Sequence, residues 1–363
     1  MRSASVGSRQ RARRQVIGLI NRHYQRIILS ANAKQSRAAV EQRNLIVPQM
    51  RDYDELGMNQ EWVPHLMYFH PRNVALKSVT TNEFGLRNTT GSKPGAPTAL
   101  LVGGSSVFGI GATSDAATIP SLLNATTKYN WHNFGGRAFN STQEAILAHL
   151  SNTKKIGGPI VVMSGINNLT RSILSGGFSQ MYGAFFQQSH FSQRMATATL
   201  GNRDLAKQLF NGLGRKFGIT KKSNKPTAFT AASKAESYSA MLTVFERDCG
   251  YFQMLAKHHA TSALFVLQPF IPWMNKSLTP QEIELFKLLD QEAKDFSPIL
   301  GELAELKQKY KQDLHAICIK TGLKFADLNE SIELQQSEWL FVDRAHFTDL
   351  GNSVVARSIV SYL

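Results

Sequence analysis

A chain of 363 residues, 42% hydrophobic and 18% charged, is long enough for one large buried core, or for one domain with an appendage. No run of about 18 or more uncharged apolar residues occurs, so no transmembrane helix is expected. The formal charge is +15, from 41 Lys and Arg against 26 Asp and Glu, and it is unevenly placed. Arg2, Arg9, Arg11, Arg13, Arg14, Arg22, Arg26, Lys34, Arg37 and Arg43 crowd the start of the chain against Glu41 alone. Arg203, Lys207, Arg215, Lys216, Lys221, Lys222 and Lys225 form a second basic stretch. Such charge draws weak contact with an acidic polymer or a membrane surface through the N-terminus, or is simply solvated. Nucleic acid is not an expected partner, because no aromatic-and-basic stacking pattern accompanies the charge.

In chain order, residues 1–45 read as a basic, partly helical extension. Ile17, Ile20, Tyr24, Ile27 and Ile28 recur at helical spacing within about 14–30. Asn21, Arg22 and His23 interrupt the apolar run Val16–Ile20 at once, so no apolar segment of signal-sequence length follows Arg13 and Arg14. No secretory or twin-arginine signal is read there, and a cytoplasmic or membrane-peripheral location is expected. Residues 46–95 form a mixed lead-in, in which Asn82 to Arg87 look like a turn entering a short strand. Gly91, Pro94, Gly95 and Pro97 then mark a boundary.

From residue 96 to 363 the pattern alternates. Strands are predicted at Ala99–Val102, Trp131–Phe134, Ile160–Met163, Ala263–Leu267 and Phe325–Leu328. Helices are predicted at Ala116–Lys128, at Ser141–Leu150 with Ser141 and Glu144 as a capping box, and from Asp349 to Tyr362. Strands separated by helices imply a short parallel sheet covered on both faces, with any site at the C-terminal strand ends. A stretch at about 175–237, rich in Gly, Ser, Phe, Gln and Lys, breaks the rhythm and reads as an insertion. Cys249 and Cys318 lack metal-type spacing and are expected as buried free thiols.

Four segments at strand ends carry chemistry. Gly103-Gly104-Ser105-Ser106-Val107-Phe108-Gly109 presents a serine between glycines, so its hydroxyl and its N–H can be exposed together. Asn133 to Glu144 begins at the end of the second strand, with Gly135, Gly136, Arg137 and Ala138 after it. Gly165-Ile166-Asn167-Asn168 follows the third strand. Asp343-Arg344-Ala345-His346 puts a carboxylate and an imidazole three residues apart before the last helix. Serine, histidine and aspartate are the parts of an activated hydroxyl nucleophile.

The order and spacing of these segments, from about Ala99 to Leu363, resemble the SGNH hydrolases, also called GDSL-type esterases. The resemblance implies a three-layer α/β/α, flavodoxin-like fold. It implies Ser105 as nucleophile, His346 as base and Asp343 as its orienting carboxylate, with no metal or organic cofactor. The oxyanion would lie against the N–H of Ser105, the Asn167 amide and the N–H of Ala138 or Gly136. The chain departs from the family pattern at Gly104 (an aspartate there), Ala138 (a glycine) and Asn168 (an aspartate). If Ala138 needs positive φ, it is strained. The Asn82–Arg87 and Leu267-Gln268-Pro269 segments resemble the subset found among bacterial polysaccharide genes. Arg87 is therefore a candidate for substrate binding, with a structural ion pair as its other reading. His65, His70, His132, His149, His190, His258, His259 and His315 show no partnered pattern. The implied activity is hydrolysis of an acyl ester, acetyl included, on a carbohydrate or other small ester. An acyltransferase with the same triad, or a non-catalytic glycan-binding protein on the same fold, are the alternatives.

Overall fold

The computed structural model describes residues 36–150, 155–174, 178, 180–181, 183–186, 231–292 and 297–363. Five strands form one sheet: β1 (Thr98–Gly103), β2 (Asn130–Gly135), β3 (Ile160–Ser164), β4 (Ala263–Leu267) and β5 (Lys324–Asp327). The order is β2-β1-β3-β4-β5 and every pair is parallel. All five strands lie within a residue or so of the apolar runs that predict them. Every residue of β3 and β4 is buried, as a parallel strand covered on both faces requires.

The period of two along each strand divides the core. Leu100, Val102, Ile160, Val162, Ala263, Phe265 and Leu267 pack into one apolar cluster. Helices α4 (Ser141–Leu150), α5 (Ile166–Leu174), α6 (Ala231–His258) and α9 (Lys307–Thr321) pack into the same cluster, with Leu66, Tyr68 and Phe69 of the lead-in segment. Leu101, Val161, Met163, Leu264, Val266 and Ala326 point the other way, into a second cluster. There they meet α1 (Met50–Met58), α3 (Ile119–Thr126), α7 (Pro280–Glu292) and α10 (Asp349–Val360). The two short helices between are α2 (Ser105–Phe108) and α8 (Leu300–Glu305). This is the expected three-layer arrangement. Cys249 and Cys318 are buried free thiols, also as expected.

Three local expectations change. The helix predicted at 116–128 is shorter, because Thr118 is extended (φ −81°, ψ 152°) and separates a 3-10 turn at Asp115–Ala117 from α3. Pro120 then sits in the first turn of α3, where its missing N–H costs nothing. The capping box of α4 starts one residue earlier than predicted. Asn140 Oδ1 accepts from Gln143 N (2.9 Å), and Gln143 Oε1 accepts from Asn140 N (3.2 Å). The end of the predicted insertion is helical, since α6 begins at Ala231. The rest of that insertion is almost wholly outside the described residues, as are the basic stretch 203–225 and the helix predicted at 14–30. Among the described residues, no helix is long and apolar enough to cross a membrane.

The lead-in segment shares the core of the sheet: Val47, Met50, Tyr53, Leu56 and Val79 belong to the second cluster. Arg87 fixes it there. Its side chain is fully buried, and Nε pairs with Asp115 Oδ1 at 2.8 Å. Nη1 donates to the Tyr53 hydroxyl and to the carbonyls of Phe108 and Gly109, and Nη2 to the carbonyl of Ser78. The guanidinium is spent inside the fold, so the structural reading of Arg87 replaces the substrate-binding one. Removing one partner of a buried pair leaves the other charge without compensation. Arg87→Ala is expected to cost about 3–5 kcal/mol of stability in chemical denaturation, and a loss under about 1 kcal/mol would contradict this role.

Candidate active site

The chain reverses direction in the sheet order at β1, with β2 on one side and β3 on the other. A crevice forms at such a switch point, beyond the C-terminal strand ends. Ser105 opens α2, straight after β1, and Asn167 lies in the first turn of α5, straight after β3. Both reach the same cavity, of about 610 Å3, together with Ala138, Gln268, Asp343 and His346.

Ser105 Oγ stands 2.6 Å from His346 Nε2, and His346 Nδ1 stands 2.6 Å from Asp343 Oδ2. With the carboxylate on Nδ1, the neutral ring carries its proton there, and Nε2 accepts from the serine. Asp343 Oδ1 accepts from the N–H groups of Ala345 (2.8 Å) and His346 (2.9 Å). Burial presses the Asp343 carboxyl upward, but the attraction that a protonated His346 would exert, the bond from its ring and the two backbone bonds outweigh it and hold it below the usual carboxylate range.

Ser106 does not compete for the histidine. Its hydroxyl donates to the carbonyl of Ala345 (2.8 Å) and accepts from Gln268 Nε2 (2.6 Å), which also reaches that carbonyl (3.1 Å). Gln268 is aligned by Asn329, whose Nδ2 donates to the Gln268 carbonyl at 3.1 Å. The Asp343–His346 loop is thus tied to the ends of β1 and β4. The sequence marks Gln268 through its position after a strand and the resemblance of Leu267-Gln268-Pro269, without a role for it, and gives no sign of Asn329.

The donors expected around an oxyanion separate into two groups. Asn167 Nδ2 donates to the Phe139 carbonyl at 2.8 Å, which fixes the amide and leaves its second N–H for the cavity. Gly136 is excluded as a donor, because its N–H bonds the Gly103 carbonyl at 2.9 Å. Ala138 has φ 57° and lines the cavity. The left-handed conformation costs an alanine about 1 kcal/mol or more, and the surroundings hold it in place. Tyr68 Oη donates to the Ala138 carbonyl (2.8 Å), and the N–H of Arg137 bonds His70 Nε2 (3.2 Å).

His70 is therefore a positioning residue that no sequence pattern announces. Its Nδ1 stands 3.1 Å from the Gly85 carbonyl, so it carries the ring proton and Nε2 accepts. Burial, with Arg137 adding to it, lowers its pKa to about 3 and keeps the ring neutral. Gly104 answers another departure. A β-carbon there would stand 3.0 Å from Asn167 Nδ2 and 3.9 Å from Glu144 Oε1, so a bulkier residue would crowd the amide. Asn168 holds the turn from behind, accepting from Ser141 N (2.9 Å) and donating to Ser141 Oγ (2.8 Å). Among the described residues, no cluster of His, Cys, Asp or Glu is arranged to hold a metal ion.

No protein-family model matches the chain, and no curated protein does. Among solved structures it is similar to an acetyl xylan esterase (12% identity, 73% of this chain and 99% of that one, TM-score 0.38). It is similar also to a lipolytic protein of the G-D-S-L family from Desulfitobacterium hafniense DCB-2 (9% identity, 74% and 99%, TM-score 0.38). A third is an acetylxylan esterase from Geobacillus stearothermophilus (13% identity, 76% and 95%, TM-score 0.39). At such scores these likenesses carry no argument about activity, and the geometry of the chain has to stand by itself.

Glu144, under the oxyanion turn, is fully buried. Its Oε1 accepts from Ser164 Oγ (2.9 Å), and its Oε2 has no partner. Burial raises its pKa from 4.5 to about 8. Between these values the folded chain keeps a proton that the unfolded chain releases, so stability falls as pH rises through that window. Glu144→Gln keeps the acceptor and removes the ionisation. Its melting temperature should match that of the wild type near pH 4.5 and exceed it by several degrees near pH 8; a gap independent of pH would contradict the shift.

Proposed function

We propose that the chain is a serine ester hydrolase of the SGNH type. The observation that carries this reading is the unbroken chain from Ser105 Oγ through His346 to Asp343, with both contacts at 2.6 Å. His346 Nε2 takes the Ser105 proton as the oxygen attacks an ester carbonyl, and returns it to the departing alcohol. Asp343 holds the ring in the required tautomer and favours the imidazolium. The Ser105 and Ala138 N–H groups and the free N–H of Asn167 receive the charge that develops on the carbonyl oxygen. Water, activated by the same histidine, then cleaves the acyl-enzyme. The chain needs no cofactor for these steps.

An acyl ester of a carbohydrate is the substrate class we favour, with an acetyl group as the smallest case. The cavity of about 610 Å3 exceeds what an acetyl group fills, which leaves room for part of the alcohol. Ile110, Ile166 and Phe270 give it apolar wall, while Gln60, Asp54 and Asp290 give it polar wall.

Release of nitrophenol from nitrophenyl acetate tests the reaction. Ser105→Ala and His346→Ala should lower kcat by about 10^4–10^6-fold, and Asn167→Ala by about 10^2–10^3-fold. Ser106→Ala should keep most activity, since its hydroxyl faces Ala345 and not the histidine. Equal rates in wild type, Ser105→Ala and His346→Ala would refute the reading.

A further inference from the structure

Each arginine at or beside the cavity is paired with a carboxylate, with one exception. Asp54 is paired by Arg43, which also holds Glu292. Asp290 is paired by Arg344 at 2.8 Å, and Asp343 by His346. Arg137 lines the same cavity, and among the described residues no carboxylate lies within 4.0 Å of it. Its guanidinium makes one hydrogen bond, from Nη1 to the carbonyl of Tyr53. Among the described residues, the donors on Nε and Nη2 have no partner.

The position of this cation is built. The Arg137 N–H is held by His70, and its side chain lies flat against α1 at Gly57. A β-carbon at Gly57 would stand 3.0 Å from Nη2, 3.1 Å from Nη1 and 3.3 Å from Cζ. Gly57 lies in the last turn of α1, and its lack of a β-carbon makes room for the guanidinium. The next residue, Ala138, offers its N–H to the reacting carbonyl, so the cation stands beside the reaction centre. Burial opposes its charge, while Asp54 favours it without touching it.

We propose that Arg137 binds an anionic group of the substrate, a carboxylate or a phosphate, across its free N–H donors. A planar guanidinium with two free donor positions suits bidentate capture of such a group. The formal charge of +15 agrees, because a strongly basic protein concentrates acidic substrates around itself. The proposal rests on the ester-hydrolase reading and narrows its substrates to acidic esters, with the anion on either the alcohol or the acyl part.

Two substrate pairs locate the anion. For the alcohol side, 4-acetoxybenzoate is compared with 4-acetoxybenzamide. For the acyl side, the nitrophenyl half-ester of succinic acid is compared with nitrophenyl succinamate. The wild type should prefer the anionic member of one pair by about tenfold or more in kcat/KM, mainly through KM, as a charge-assisted contact warrants. Arg137→Gln should erase that ratio, and Arg137→Lys should restore part of it. Gly57→Ala, which displaces the guanidinium without removing it, should reduce the ratio, with thermal unfolding confirming a folded chain. No preference in either pair, or one that survives Arg137→Gln, overturns the proposal. Calorimetric titration of Ser105→Ala protein with the same four compounds separates the two readings. Anion binding that needs Arg137 without any hydrolysis by the wild type defeats only the hydrolase reading. Hydrolysis with equal or absent binding of acid and amide defeats only the anion site.

Discussion

The pairing of β1 with β3 is the constraint on which the site depends. Gly103 stands opposite Met163, so the two strands end side by side. Ser105 and Asn167 lie within a few residues of those ends and cannot be far apart. A β-carbon at Gly103 would come within 2.2 Å of the Met163 carbonyl oxygen, so this register requires glycine there. The other pairings extend the logic. Gly135 of β2 opposes Gly103, which brings the Ala138 turn to the serine from the other side. Leu267 of β4 opposes Ser164, which delivers Gln268 to the Ala345 carbonyl and so steadies the histidine loop. Sheet order becomes the order of parts around one cavity.

Two buried ionisable groups sit behind the oxyanion turn, and burial keeps both neutral at moderate pH. A protonated His70 would turn Nε2 from acceptor to donor and break its bond to the Arg137 N–H, on which the Ala138 conformation depends. An ionised Glu144 would place a negative charge near Gly104 and Asn167, where the proposed reaction develops negative charge. The low polarity that costs the fold stability at these positions also preserves the shape and the potential of the turn.

The fold was legible where apolar runs met turn residues. Ile160–Ser164 and Ala263–Leu267 are buried on both faces, so their sequences carry no polar alternation to confuse the reading. The triad was legible because its residues are chemically distinctive, because Ser105 directly follows β1, and because Asp343 and His346 sit three residues apart just before α10. His70, Tyr68 and Asn329 were not, since each acts through backbone atoms of distant segments, and nothing local marks such contacts. The capping box was misplaced for a similar reason. Ser141 and Glu144 have the right spacing, but Ser141 Oγ is engaged by Asn168 and Asp248, and Glu144 by Ser164. Tertiary contacts thus removed both side chains from the role that local sequence offers them.

The departures from the SGNH pattern bear on whether the site is a working one. A site that had lost its chemistry would be expected to lose the support of its parts as well. Here each changed position is accommodated. Gly104 leaves space for the Asn167 amide and keeps a second carboxylate away from Glu144. Asn168 uses both ends of its amide on Ser141, a pairing that an ionised aspartate, lacking a donor, would not make. Ala138 adopts the left-handed backbone of a glycine under bonds from both flanks. Strain of this kind persists only where neighbouring contacts over-determine it. It is retained here at a residue that lines the cavity beside Ser105, where a relaxed alanine would redirect its N–H. The cost of that conformation is understandable if the N–H has a charge to receive.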